Sequence, residues 1–151
     1  QYMDLKPGDK VCDLYGGAGL FTSPILKRIQ EIGVVHLVEN DRRCIKDAKK
    51  IFRKNKNVII HAGKVEEKLS NIKDVDVILL DPPRNGAGKK VINEIISKKP
   101  KSIIYVSCDP ASLARDTKLL IETSFSLDKI TGVDLFPMTH HIECVSSFSR
   151  K

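Results

Sequence analysis

Five short apolar runs, each followed by a stretch with helical spacing, are the feature that most limits how this chain can fold. Residues 10–14, 34–39, 58–61, 75–81 and 102–107 are rich in Val, Ile and Leu and read as strands. The first helix is expected after a glycine turn, and later ones over 41–54, 64–69, 89–98 and 110–122. Strands that alternate with helices pair in parallel, and a parallel sheet has to be covered on both faces. Beyond residue 122 the pattern changes to two β-like runs, 125–135 and 141–149, with no helix between them. They predict a terminal antiparallel hairpin on an otherwise parallel α/β sheet. A chain of 151 residues, 41% of them hydrophobic, can bury one substantial core, and residues 1–151 are expected to form one domain.

Charge points to the kind of partner without identifying it. Lys and Arg total 26 against 19 Asp and Glu, a net charge of +7 that favours an anionic partner such as RNA, although a solvated lysine-rich surface gives the same figure. Cys12, Cys44, Cys108 and Cys144 show neither CxxC spacing nor an accompanying histidine pattern. No metal site or disulfide framework is therefore expected, and reduced thiols in the cytoplasm are the simplest reading. No apolar run approaches the roughly 20 residues of a membrane-spanning helix, and the opening residues lack a signal-peptide pattern. Because the chain opens on Gln1 rather than Met and reaches its glycine turn almost at once, it is expected to be a piece of a longer protein.

That turn, from Asp13 through Tyr15, Gly16 and Gly17 to Gly19, comes directly off the first strand, where glycines let backbone approach a ligand closely. A nucleotide-like cofactor is expected there. Phe21 and Thr22 stand where a dinucleotide fingerprint needs its third glycine, which argues against NAD. Glu39 closes the second strand about 20 residues past the glycines, where a carboxylate can accept hydrogen bonds from both ribose hydroxyls. The plainer alternative is a helix-flanking acid. Asp13 is placed to meet a positively charged end of the cofactor, directly or through water.

The ends of the next strands carry the reactive groups. Asp81-Pro82-Pro83-Arg84 stands at the carboxyl end of the fourth strand, where ligands bind in open α/β sheets. Two prolines stiffen the exit and leave Asp81 facing the crevice, although an Asp-Pro turn can also merely end a strand. Ser107-Cys108-Asp109-Pro110 ends the fifth, with Asp109 suited to cap the following helix and Pro110 to its first position. Cys108 then lies beside a helix N-terminus, which favours thiolate, while the Asp109 charge opposes it. Cys12 and Cys44 read as structural. Residues 134–143 are dense in polar side chains, and there Glu143 is the preferred base, with His140 or His141 as alternatives. These three can also simply satisfy one another at a loop.

Together these motifs resemble the RNA uracil-5-methyltransferase family over nearly the whole chain: Asp13-Leu14-Tyr15 with Gly17 and Gly19, then Asp81 to Arg84, Ser107 to Pro110, and His140-His141-Ile142-Glu143. The resemblance implies a Rossmann-like class I methyltransferase fold, S-adenosylmethionine as cofactor and tRNA or rRNA as substrate. Carbon 5 of a uracil is too weakly nucleophilic to take a methyl group unaided, so the chemistry needs a thiolate at carbon 6 and then a base for the carbon 5 proton. The resemblance assigns these roles to Cys108 and Glu143, and lines the cofactor site with Tyr15, Glu39 and Asp81. Asp81 would also orient the target base. Gly16 and Lys64 depart from the family pattern, at a common cysteine and at an Asn or Asp near the adenine. The family's RNA-binding barrel and central domain lie outside this sequence. Methyltransferases of exocyclic amines share an Asp-Pro-Pro strand end but need no cysteine, and RNA cytosine-5 enzymes use a Pro-Cys and Thr-Cys pair not seen here. A module that binds cofactor or RNA without turnover is the alternative from another class.

Overall fold

The computed structural model describes residues 3–133 and 142–151. In chain order the elements are β1 (Lys10–Leu14), α1 (Thr22–Ile29), β2 (Val34–Glu39), α2 (Arg42–Ile51), β3 (Val58–Ala62) and α3 (Val65–Lys68) with a 3-10 turn (Leu69–Asn71). They continue with β4 (Val77–Leu80), α4 (Gly88–Lys98), β5 (Ser102–Ser107), α5 (Pro110–Ile121), β6 (Phe125–Val133) and β7 (Glu143–Arg150). The sheet has seven strands in the order β3-β2-β1-β4-β5-β7-β6. β1 to β5 pair in parallel, and β7 runs antiparallel between β5 and β6. The expected mostly parallel sheet with a terminal antiparallel pair is present, and the insertion of β7 beside β5 is what the linear pattern did not reveal.

Element limits differ from expectation where side chains take over from periodicity. The fourth strand ends at Leu80 because Pro82 and Pro83 have no N–H to offer a ladder. Asp81 is thereby just past the strand, its own N–H reaching the Leu14 carbonyl at 3.3 Å. Asp41 is the cap of α2 and not its first turn, since its carboxylate accepts from the N–H groups of Arg43 and Cys44. Asp109 caps α5 through the Ser112 N–H, with Pro110 in the first turn, as the sequence predicted. Positions 134, 135 and 141 of the two predicted β-like runs lie outside the described residues.

Alternation along the strands divides the core into two layers. On one face Val11, Val35, Val77, Leu79 and Ile104 pack against Ile25 and Ile29 of α1, with Leu37 meeting Ala48 and Phe52 of the α2 region. On the other, Cys12, Leu14, Val38, Ile78, Leu80, Ile103 and Tyr105 pack against Val91, Ile92 and Ile95 of α4 and Leu113 and Leu120 of α5. All four residues of β4 are buried, which explains why that strand reads as an unbroken apolar run. Among the described residues, no helix is long and apolar enough to cross a membrane.

Ile78 is wholly buried, whereas Ile59 on the edge strand β3 is 44% exposed. Ile78→Ala is expected to lower the unfolding free energy by about 2–5 kcal/mol. Ile59→Ala should change it by about 0.5 kcal/mol or less. Urea denaturation measures both, and equal losses would contradict the central position of β4.

Candidate active site

The glycine turn is built by left-handed backbone at Tyr15, Gly17 and Gly19, with φ values of 59°, 57° and 96°. Gly19 has no alternative, because a Cβ there would overlap the Phe52 ring, while a Cβ at Gly17 would stand in open space. The turn is therefore packed from beneath and open above. A Cβ at Gly16 would come within 2.9 Å of Leu37 Cγ, so glycine fits here as packed, and the cysteine common in the family would need Leu37 to shift. Tyr15, Gly16, Gly17, Gly19, Phe21, Ile51 and Asp81 line a cavity of about 510 Å³ above the turn.

Two carboxylates hold this turn. Asp13 is completely buried and accepts a 2.6 Å hydrogen bond from the Thr22 hydroxyl on its Oδ2. Its Oδ1 has no partner among the described residues. Glu39 accepts the Gly17 N–H on Oε2 at 2.8 Å, and the N–H groups of Asn40 and Asp41 on Oε1 at 2.6 and 2.7 Å. A carboxylate offers about four acceptor positions, so Glu39 keeps capacity for a further donor. It supports the cavity through Gly17 and is not itself among the lining residues.

Strand register brings the remaining candidates together. Leu80 pairs with Tyr105 across β4 and β5, and Ser107 with Cys144 across β5 and β7. Continuing each ladder by one residue sets Asp81 beside Val106 and Cys108 opposite Glu143, all on the α1 face. Asp81, Cys108 and Glu143 accordingly line one cavity of about 690 Å³, with Leu79, Ile104, Val106 and Val145 as an apolar floor and Phe21 and Ile25 as a wall. Asp81 and Phe21 belong to both cavities, so the glycine-turn space and the Cys108 space meet at these two side chains.

Acids converge on the site, with Arg28 as a cation lining the larger cavity beside Asp81 and Glu143. Burial raises the Asp13 carboxyl to about 6 against the pull of the Thr22 hydrogen bond, and the charges of Asp81 and Glu39 add to the rise. Asp81 is solvent-exposed at the cavity rim, yet partial burial against the cavity walls and then the nearby Glu143 hold its pKa above the usual carboxylate range. Such a site suits a ligand carrying positive charge. Cys12, in contrast, is fully buried and its thiol is pushed up to about 12 by burial, consistent with a structural role. His140 and His141, the alternatives to Glu143 as base, lie outside the described residues. Phe21, which lines both cavities, was not singled out as a site residue in the sequence because an aromatic side chain after a glycine turn carries no motif of its own. Among the described residues, no group of three or more His, Cys, Asp or Glu is arranged to hold a metal ion.

Residues 5–151 match the model of the tRNA (uracil-5-)-methyltransferase family. An uncharacterized RNA methyltransferase of Streptomyces avermitilis is 42% identical over 143 residues, covering 93% of this chain and 33% of its own length. One from Bifidobacterium longum is 40% identical over 146 residues, covering 93% of this chain and 34% of its own. The chain thus spans about a third of the length of the curated relatives it matches. The crystal structure of Pyrococcus abyssi tRNA (uracil-54, C5)-methyltransferase in complex with S-adenosyl-L-homocysteine superposes with a TM-score of 0.80 at 29% identity, over 96% of this chain and 35% of that one. Aeropyrum pernix fibrillarin, at 16% identity and a TM-score of 0.73 over 95% of this chain and 68% of its own, shares the fold.

The raised Asp13 carboxyl has a measurable consequence. Between its ordinary value of 3.8 and about 6, the folded chain holds a proton that the unfolded chain releases. The stability this proton contributes is fully present below about 4 and is lost as pH rises through about 6. Relative to Asp13→Asn, wild-type stability is therefore expected to increase as the pH is lowered from 7 to 4 in about that window. Parallel stability curves from chemical denaturation would contradict the assignment.

Proposed function

Because the chain belongs to the tRNA (uracil-5-)-methyltransferase family, we propose that it is the catalytic domain of an RNA methyltransferase acting on carbon 5 of a uridine. The substrate is tRNA or rRNA, and the methyl donor is S-adenosylmethionine. The observation that carries this reading is one apolar cavity lined by Cys108, Glu143 and Asp81 and joined at Asp81 and Phe21 to the cavity over the glycine turn. A methyl donor in one space and a pyrimidine in the other would meet there.

The donor set favours S-adenosylmethionine over a dinucleotide. Its positive charge suits the converging carboxylates of Asp13, Glu39 and Asp81, the open surface of Gly17 accommodates close backbone approach, and Glu39 has acceptor capacity for a ribose hydroxyl. When bound, the cofactor supplies the methyl group. The P. abyssi enzyme, which shares this fold at 29% identity, holds S-adenosyl-L-homocysteine. A net charge of +7 supports an RNA partner.

The residues of the chain divide the remaining work. Cys108 Sγ, as thiolate, adds to carbon 6 of the uracil, and the ring electrons move to carbon 5 and the carbonyl at carbon 4, making carbon 5 nucleophilic. Asp81 accepts the uracil N3–H and orients the ring. After carbon 5 has taken the methyl group, Glu143 removes its proton, and the electrons left at carbon 5 expel the Cys108 thiolate from carbon 6. The register that sets Cys108 opposite Glu143 supports this division of labour. The apolar floor excludes water from the enolate.

Full-length protein, labelled S-adenosylmethionine and uridine-containing RNA provide the test on denaturing gels. Cys108→Ala is expected to transfer no methyl and to form no adduct with 5-fluorouridine RNA, which traps the unmutated enzyme. Glu143→Gln is expected to accumulate methylated covalent adduct while free product falls, since attack and transfer precede the missing step. Normal turnover by Cys108→Ala would overturn the covalent mechanism, and trapping by a His140 or His141 variant in place of Glu143→Gln would move the base to that histidine.

A further inference from the structure

A fully buried carboxylate outside the cavity ties the two reactive loops together. Asp116 lies on α5, the helix whose cap follows Cys108, and has no solvent exposure. Its Oδ2 accepts the N–H groups of Ala87 and Gly88 at 2.8 and 3.2 Å and the Tyr105 hydroxyl at 2.8 Å. Its Oδ1 accepts Nε and Nη2 of Arg115 at 3.1 and 3.0 Å, and the same Nη2 donates to the Asn85 carbonyl at 2.8 Å. The Tyr105 oxygen in turn accepts the Ala87 N–H at 3.1 Å. Gly86, at φ 76°, closes the arrangement, since a Cβ there would stand 2.6 Å from Arg115 Nη2 and 2.7 Å from Asp116 Oδ2.

These bonds hold residues 85–88 against β5 and α5, the strand and helix that flank Cys108. At its other end the same loop begins with Asp81, pinned to β1 through the Leu14 carbonyl. Two prolines and the bond from Gly86 N–H to the Pro83 carbonyl, 2.8 Å, leave the intervening residues little freedom. Burying the Asp116 carboxylate while its Arg115 partner stays 54% exposed is a poor route to stability alone, since well-packed apolar side chains of similar volume often serve as well or better. What it does supply is geometry, because every donor is directional.

Resting on the reading of Cys108 and Asp81 given above, we infer that Asp116, together with Tyr105, is a positioning residue that sets the placement of the Asp81 loop relative to Cys108. Neither Asp116 nor Tyr105 lines either cavity. Loosening it shifts Asp81, and with it the uracil ring, against the thiolate, while the glycine turn, which hangs from β1 and β2, is untouched.

Full-length Asp116→Asn and Tyr105→Phe test this by three measurements: the rate of covalent adduct formation with 5-fluorouridine RNA, the affinity for S-adenosylhomocysteine, and the thermal midpoint. Misplacement by about an ångström is expected to slow adduct formation about tenfold to a hundredfold. S-adenosylhomocysteine lacks the positive charge that Asp81 would meet and would rest mainly on the glycine turn, so its affinity is expected to fall far less than the adduct rate, by about threefold at most, and the loss should fall on kcat rather than KM. Tyr105→Phe removes one donor and no charge, so it remains decisive if Asp116→Asn fails to fold. A lowered thermal midpoint with an unchanged adduct rate in the folded variant would reduce Asp116 to a structural group and overturn the inference, as would equal losses of cofactor affinity and adduct rate. Failure of the unmutated protein to form any adduct would instead sink the underlying reading of Cys108.

Discussion

Everything at the candidate site depends on the pairing of β4, β5 and β7, because strand register and side-chain alternation together decide which reactive groups share a face. Asp81 follows the last β4 pair, Leu80 with Tyr105, and Cys108 follows the last β5 pair, Ser107 with Cys144. A slip of one residue in either ladder would turn Cys108 or Glu143 to the α4 and α5 side of the sheet. Such a slip is opposed by the whole core, since it would also carry Leu79 and Ile104 away from α1 and expose what is now buried. Site geometry and folding energy are thus set by the same alternation. Asp81 and Cys108 stand just past their strands, outside the ladder, while Glu143 opens β7 in its pair with Val133, so all three stay at strand ends, open to a ligand.

Much of this was legible in the chain itself. The strands announce themselves as apolar runs because a parallel sheet is buried on both faces, and β4 reads without interruption for that reason. Asp109 and Pro110 mark the start of α5 through local backbone chemistry, and the glycine turn is visible because left-handed backbone selects glycine. What was not legible is what depends on partners far along the chain. The insertion of β7 beside β5, which creates the Cys108 and Glu143 juxtaposition, is a choice between pairings that local pattern leaves equal. Glu39 was expected to face a ribose, and its three backbone donors could be found only from the folded turn. Nothing within a few residues of Asp116 discloses the Ala87 and Gly88 N–H groups it receives.

Two opposite charge patterns coexist in the chain and act over different ranges. The net charge of +7 attracts polyanions at a distance and is screened over roughly 8–10 Å at physiological salt. Inside the site the local balance is reversed: Asp13 is raised partly by Asp81 and Glu39, and Asp81 in turn by Glu143. Screening is weaker there, so these carboxylates dominate whatever binds between them. Under the proposed function a polyanionic RNA would be held by the outer surface, and only an uncharged part of it, a base turned out of its stack, would enter the apolar cavity without opposing the acids. A cation is favoured over the glycine turn by the same acids. Under that reading the arrangement would separate capture of the nucleic acid from selection of its reacting parts, at cavities that share Asp81 and Phe21 beside the end of the central strand β4.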